Sequence, residues 1–345
     1  MNLKKYRIFT CLILLVFLNS GFISGCKILG SIFDSQSDTR ETDENFLEYD
    51  YQVEHIDEEI YLWEYRPFSD NNYLKRLGEP PDITFSENYP RLDGATAAYP
   101  VYAAMAQELY KGLTGDTVEQ YVECSTTDKA YERLIKGEID IFFGAQPSAL
   151  QIQAAKEKGV ELKMTPIAKE AFVFFVKKSN PVNNLTIEQI QDIYQKKITN
   201  WSAVGGEDET IMPFQRPENS GSQTVMLAAV MKDKVLPAPL VEEFAVGMGQ
   251  AVEMVVADYR NYSSAIGYSF RYYVIGMKQN ENVKLLSVNG IEPAIENIRT
   301  GAYPLTVDVY AVTAGSTNEN LEILIDWILS EQGQNFIETC GYVRK

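Results

Sequence analysis

The sequence predicts an α/β protein, and three observations carry that prediction. From about Ile83 onward, short apolar runs alternate with amphipathic helical patterns. Such alternation builds mainly parallel sheets covered by helices on both faces. The chain has 345 residues, which suits about two domains of roughly 150 residues each. Its hydrophobic fraction is 45%, ordinary for a globular protein and sufficient for a sizeable core.

The first segment reads as an address. Lys4, Lys5 and Arg7 precede an apolar run over residues 8–18, too short to span a bilayer as a mature helix. Ile23-Ser24-Gly25-Cys26 follows and resembles a bacterial lipobox. That resemblance implies a signal peptide over residues 1–25, cleavage before Cys26, and lipid (diacylglycerol on the sulfur, palmitate among its acyl chains) holding the body on the outer face of the cell membrane. An ordinary signal peptide or an anchor helix is the alternative. Residues 34–59 carry eleven acids against Arg40 alone. Such a run repels itself and stays solvated, so residues 26–82 are expected to be a tether. A calcium site is the other reading of this run, but no EF-hand spacing is present. His55 lies within the run, far in sequence from any candidate site.

The body then follows element by element. Thr127 opens a helical pattern with Tyr131, Leu134 and Ile135 on one face, and Gly137 can end it. Residues 139–143, with Ile139, Ile141, Phe142 and Phe143, read as a buried strand, and so do residues 171–176. A polar turn over residues 177–181 leads to Thr186, which with Gln189 fits a capping box. Ile187, Ile190, Ile193 and Tyr194 make the apolar face of the helix that follows. Near the end, Leu321, Leu324, Ile325, Ile328 and Leu329 form a helical stripe, with Gly333 as its expected stop.

Composition excludes several functions. The net charge is −17, from 31 Lys+Arg and 48 Asp+Glu, and becomes −20 once residues 1–25 are removed. That argues against nonspecific nucleic-acid binding, which needs clustered cations on phosphates. A single His disfavours a His-rich metal site or a Ser-His triad. The four Cys include no C-x-x-C, so no cysteine zinc framework exists. With Cys26 lipidated, Cys124 and Cys340 either form a disulfide, permitted outside the cell, or remain two buried thiols.

Three helix starts carry the candidate chemistry. In the first, Asp93-Gly94 can turn the chain tightly before Thr96 and its small neighbours Ala95 and Ala97. The second is Ser125-Thr126-Thr127-Asp128. The third runs from Arg216 to Ser220-Gly221-Ser222-Gln223, again a capping-box pattern. A helix N-terminus offers amides without intrahelical partners and the positive end of a dipole, which together bind anions without formal charge. Gly221 lets an oxyanion approach the backbone, and Arg216 can add a bidentate charge-assisted pair. Each segment alone is an ordinary cap. Tyr99, Trp201 and Tyr268 fit either ligand stacking or core and hinge packing.

These segments resemble the phosphate-binding proteins of phosphate ABC transporters, within the type II periplasmic-binding-protein fold. The resemblance spans roughly residues 83–345. It rests on Asp93-Gly-Ala-Thr96 with Pro100-Val-Tyr102, on Ser179-Asn-Pro-Val-Asn-Asn-Leu-Thr186 with Trp201, Gly205 and Gly206, and on Arg216 with Ser220-Gly-Ser222. Ala265-Ile-Gly-Tyr268, Tyr303-Pro304, Ser330-Glu-Gln-Gly-Gln334 and Gly341-Tyr-Val343 extend it. It implies two α/β lobes, each a mainly parallel sheet flanked by helices, with a ligand cleft between them. Lobe I would be residues 83–176 plus 304–345 and lobe II residues 177–303, the chain crossing near Phe175 to Lys177 and returning near Tyr303 to Thr306. It implies that Thr96, Ala97, Thr127, Arg216, Ser220, Gly221 and Ser222 hold the ligand. Where that family places an acidic proton acceptor, this chain reads Phe143-Gly-Ala-Gln146, and Gln146 brings no charge that would reject fully deprotonated anions.

The function expected is a lipid-anchored, monomeric solute-binding protein that passes an oxyanion, foremost inorganic phosphate, to a membrane ABC permease complex, with no cofactor, no metal and no nucleic acid. A sensor or accessory lipoprotein with a drifted ligand is the alternative. An enzyme, such as a serine hydrolase using Ser222, is disfavoured because neither G-x-S-x-G nor H-E-x-x-H occurs. The acidic net charge does not oppose this, since eleven of the acids sit in the tether and the proposed site is local and dipolar.

Overall fold

Two short parallel strands, β1 (Leu92–Gly94) and β2 (Ile141–Gly144), open the sheet, with Leu92 beside Ile141. The structure, a computed structural model, describes residues 62–238, 264–277, 279 and 281–345, all within one compact unit. The signal segment, Cys26 and the acidic run with His55 lie outside the described residues. Among the described residues no helix is long and apolar enough to cross a membrane. Residues 62–82, assigned from sequence to the tether, pack on the body instead. Tyr65 and Leu74 are buried, and Gln107 accepts hydrogen bonds from the Phe68 amide at 2.9 Å and from Asn72 at 2.8 Å. The acidic run stops at Glu59, and the apolar side chains beyond it have a surface to cover.

Between β1 and β2 lie helices α1 (Tyr99–Leu109) and α2 (Thr127–Ile135). Helix α1 follows a 3-10 turn over Thr96–Ala98 and is apolar except for Gln107 and Glu108, with ten of its eleven residues buried. Such a helix sits inside the core rather than on its surface. On α2, Tyr131 and Leu134 are buried against Phe142 and Val312, and Gly137 (φ +74°) lies just beyond its end. A third helix, α3 (Ala149–Glu157), is opened by a complete capping box from Ser148 and Gln151.

Strand β3 (Lys163–Lys177) is the longest and joins the two halves of the sheet. Residues from Lys163 to Ala171 pair with a late strand, Thr306–Thr313, and Phe172 to Val176 pair with Ala265–Phe270. Partners therefore change between Ala171 and Phe172. Between those halves the chain forms β4 (Asn184–Leu185), helix α4 (Ile187–Tyr194), β5 (Met212–Pro213), helix α5 (Gly221–Val225), β6 (Ala265–Phe270), β7 (Val283–Leu285) and β8 (Ser287–Val288). The capping box expected at Thr186 is present: its Oγ accepts the Gln189 amide at 3.1 Å, and Gln189 accepts the Thr186 amide at 2.9 Å. Helix α5 continues without a break as a π-helical segment, Met226–Met231. Strand β9 (Thr306–Thr313) returns, and β10 (Val343–Arg344) ends the chain against β3.

The strand order β1-β2-β9-β3-β6-β5 is that of a two-lobed α/β fold, but its centre is antiparallel. Only the β1–β2, β5–β6 and β4–β8 pairs run parallel among the described residues. The expectation of mainly parallel sheets fails because β3 leaves one half while β9 enters it, so the two must run oppositely. Two glycines are also placed differently from expectation. Gly94 is not in a tight turn but in β1, where a Cβ would lie 2.2 Å from the Phe143 carbonyl oxygen. Gly333 does not stop the helix Asn320–Leu329. Ser330 does, by capping the next helix, Glu331–Thr339, within which Gly333 lets the Trp327 carbonyl approach.

Candidate functional site

The three helix starts converge. Gly221 opens α5 from the half containing β6, and Thr127 opens α2 in the half containing β1. A Cβ on Gly221 would lie 3.2 Å from Thr127 Oγ1 and 3.2 Å from the Ala145 methyl. Ala145 belongs to the turn after β2 and also lines a small crevice with Ala95, Ala97 and Ala98 of the first segment. Thr96 is half-buried, 3.9 Å from the Cys124 sulfur that precedes the second segment. Gln146 follows Ala145, is half-buried and so borders the group.

Two hydroxyls of the second and third helix starts are left without partners. Thr127 Oγ1 and Ser222 Oγ are buried side-chain atoms without a hydrogen-bond partner, on residues 2% and 1% exposed. A buried hydroxyl left unsatisfied costs about 1–3 kcal/mol, and each of these two can still donate to an acceptor. Arg216 is 8% exposed. Ser220 Oγ is occupied as the N-cap of α5, accepting the Gln223 amide at 3.1 Å, yet its own proton can still be donated.

The second half of the capping box expected at Ser220 does not form. Gln223 Oε1 accepts the Arg216 amide at 3.1 Å and the Tyr268 hydroxyl, and the Ser220 amide bonds Pro217 instead. Tyr268 Oη also accepts the Arg216 amide, at 3.0 Å. Burial raises the Tyr268 pKa well above its ordinary value, so its hydroxyl stays protonated. It acts as a strut under the Arg216 backbone rather than as a stacking platform. Trp201 is likewise a core residue, 1% exposed, donating from Nε1 to the Ser264 carbonyl at 3.0 Å. Tyr99 packs edge-on to Tyr102 at 5.3 Å.

Several residues that build this site carry little local signal in the sequence. Asn219, at φ +64°, ties the third segment across to α3: Ser148 Oγ donates to its Oδ1 at 2.7 Å. Tyr342 donates to the Ala97 carbonyl and Tyr131 to the Ala145 carbonyl, the latter at 2.7 Å. Buried Asp93 binds the second segment through Ser125. In the sequence Asp93 reads only as half of a turn, because its partners Ser125 and Arg133 lie 32 and 40 residues away. Cys124 and Cys340 are both free, and burial pushes each thiol up to about 12.

Comparison with known proteins agrees with this architecture. The PBP superfamily domain matches residues 86–332. The phosphate-binding protein PstS of Bacillus subtilis is 24% identical over 257 residues, covering 73% of this chain and 79% of that protein. A substrate-binding protein from Clostridium perfringens, solved with bound phosphate, superposes with a TM-score of 0.59 at 24% identity, covering 74% of this chain and 99% of that one. An ABC-type phosphate transport receptor from Vibrio cholerae gives 0.55 at 22% identity, covering 74% and 100%.

Proposed function

The chain belongs to the PBP superfamily, and from that premise we infer that it captures a tetrahedral oxyanion, foremost inorganic phosphate, for an ABC importer. The observation that carries the inference is a pair of buried, unpartnered hydroxyls: Thr127 Oγ1, at the junction marked by Gly221, and Ser222 Oγ, on the next residue of α5. Relatives named as phosphate-binding proteins, among them one 24% identical over 73% of the chain, support the choice of anion. In this reading the anion is held by Thr96, Ala97, Thr127, Gln146, Arg216, Ser220, Gly221 and Ser222. It is enclosed when the lobe of residues 177–303 closes on residues 83–176 and 304–345. The role is capture and release to a permease, not turnover. The lipobox-like Ile23-Ser24-Gly25-Cys26 supports lipid anchoring at the extracellular face of the membrane.

The test is thermal. A ligand that binds only the folded state at a hundred times its Kd stabilises by about 2.7 kcal/mol, a rise of several degrees in Tm. Phosphate should produce that rise in the purified protein, and Arg216→Ala should remove it. No shift at millimolar phosphate would refute the phosphate reading. Because Gln146 brings no negative charge, sulfate is expected to compete within about tenfold; a much larger preference for phosphate would point to a carboxylate acceptor elsewhere in the site.

A further inference from the structure

We propose that Asp93 is a positioning residue for the anion site, clamping the first and second helix starts together so that Thr127 faces Gly221. The proposal rests on the oxyanion reading above. Asp93 is fully buried on β1. Its Oδ1 accepts the Gly94 amide at 2.8 Å and the Ser125 amide at 2.8 Å. Its Oδ2 accepts the Ser125 hydroxyl at 2.6 Å and Arg133 Nη1 from α2. Arg133 also bonds Glu123 at 2.5 Å through Nη2. One carboxylate thus gathers four donors from three places: its own strand, the loop before α2, and the last turn of α2. A buried carboxylate without such partners would be strongly destabilising.

What the clamp holds is a strained residue. Thr126 has φ +76° and ψ 162°, a region that essentially only glycine occupies. A β-branched side chain makes it less tolerable still. Thr126 is fixed from both sides, by Ser125 on Asp93 and by its own carbonyl, which accepts the Ala130 amide at 2.9 Å. The next residue is Thr127, whose buried hydroxyl has no partner and points to the Gly221 junction. If the Ser125 end is released, Thr126 can return to ordinary extended backbone, and that rotation carries Thr127 Oγ1 away from the site. Preorganisation of this kind sets affinity through the geometry of groups the clamp itself never touches.

The test compares the wild-type full chain with Ser125→Ala, Ser125→Thr and Asp93→Asn, using inorganic phosphate as probe. Calorimetry, measured well below the Tm of each, should show Kd weakened about tenfold or more in Asp93→Asn, about fivefold in Ser125→Ala, which keeps the Ser125 amide on Asp93, and restored within about twofold in Ser125→Thr. A merely structural role would lower Tm and leave Kd untouched. Hydrogen exchange on the ligand-free protein should show faster exchange of the amides over residues 126–130 in Ser125→Ala. Should Asp93→Asn fail to fold, Ser125→Ala alone decides, since it removes only one hydroxyl. Kd within twofold of wild type, or unchanged exchange over residues 126–130, overturns the proposal. If wild-type protein binds no phosphate, the oxyanion reading fails, and the exchange comparison still decides the clamp.

Discussion

Replacing Gly221 by alanine separates binding from stability. The added methyl would sit 3.2 Å from Ala145 Cβ, 3.2 Å from Thr127 Oγ1 and 3.8 Å from Thr127 Cγ2. Carbon atoms in good contact lie about 3.5–4.0 Å apart, so at least two neighbours must give by about 0.3 Å. Overpacking of this kind costs about 1–3 kcal/mol. Gly221 and Thr127 belong to different halves of the sheet, so the ligand-free protein can relieve the crowding by parting them. The backbone at Gly221 is not in the left-handed region, and alanine is up to about 1 kcal/mol better than glycine within a helix. Stability without ligand should therefore change by less than about 1 kcal/mol. The phosphate-bound, closed form cannot part, so the full penalty falls on affinity and weakens Kd about 5- to 150-fold. Calorimetric titration with phosphate, paired with thermal melts of the ligand-free protein, reads both quantities. An unchanged Kd would refute the placement of Gly221 at the anion's approach, and a ligand-free Tm that falls as far as the affinity would show that the two halves do not separate.

Three further outcomes test other parts of the structure. Burial raises the Glu170 carboxyl to about 7, opposed by the Ala171 and Tyr272 amides that donate to it and by Arg271. The folded protein then holds a proton that the unfolded chain releases, so the contribution is intact below about pH 4.5 and is lost as pH rises to about 7, up to about 3 kcal/mol. Glu170→Gln should flatten that decline in denaturant titrations between pH 5 and 8, and an unaltered decline would remove Glu170 as its source. Gly333→Ala would place a methyl 2.1 Å from the Trp327 carbonyl oxygen and should destabilise by about 2 kcal/mol or more; a neutral effect in chemical denaturation would contradict the close packing of the last two helices. Cys340, 1% exposed with its thiol pushed up to about 12 by burial, should resist thiol reagents at pH 8 until the protein unfolds, so rapid native labelling would count against its burial.

Features that depend on neighbours a few residues apart were legible in the chain. The capping box of Thr186 and Gln189, the stripe of Tyr131 and Leu134, and the buried run over residues 171–176 are local patterns, set by the helical and strand periods and by short hydrogen-bond reach. The three helix starts could be named for the same reason, because a hydroxyl or a glycine at a cap is a local signal. Only the tertiary structure decided what requires distant segments to meet. Gln223 left its own cap for the Arg216 amide because Tyr268, 45 residues away, completes that contact. Gly94 and Gly333 are glycines because carbonyls of Phe143 and Trp327 press on them, which no turn propensity reveals. The antiparallel centre of the sheet follows from β3 and β9 crossing in opposite directions. The convergence of Thr127, Ala145 and Gly221, separated by up to 94 residues in sequence, is a property of packing alone, since no residue in any one segment encodes the distance to the others.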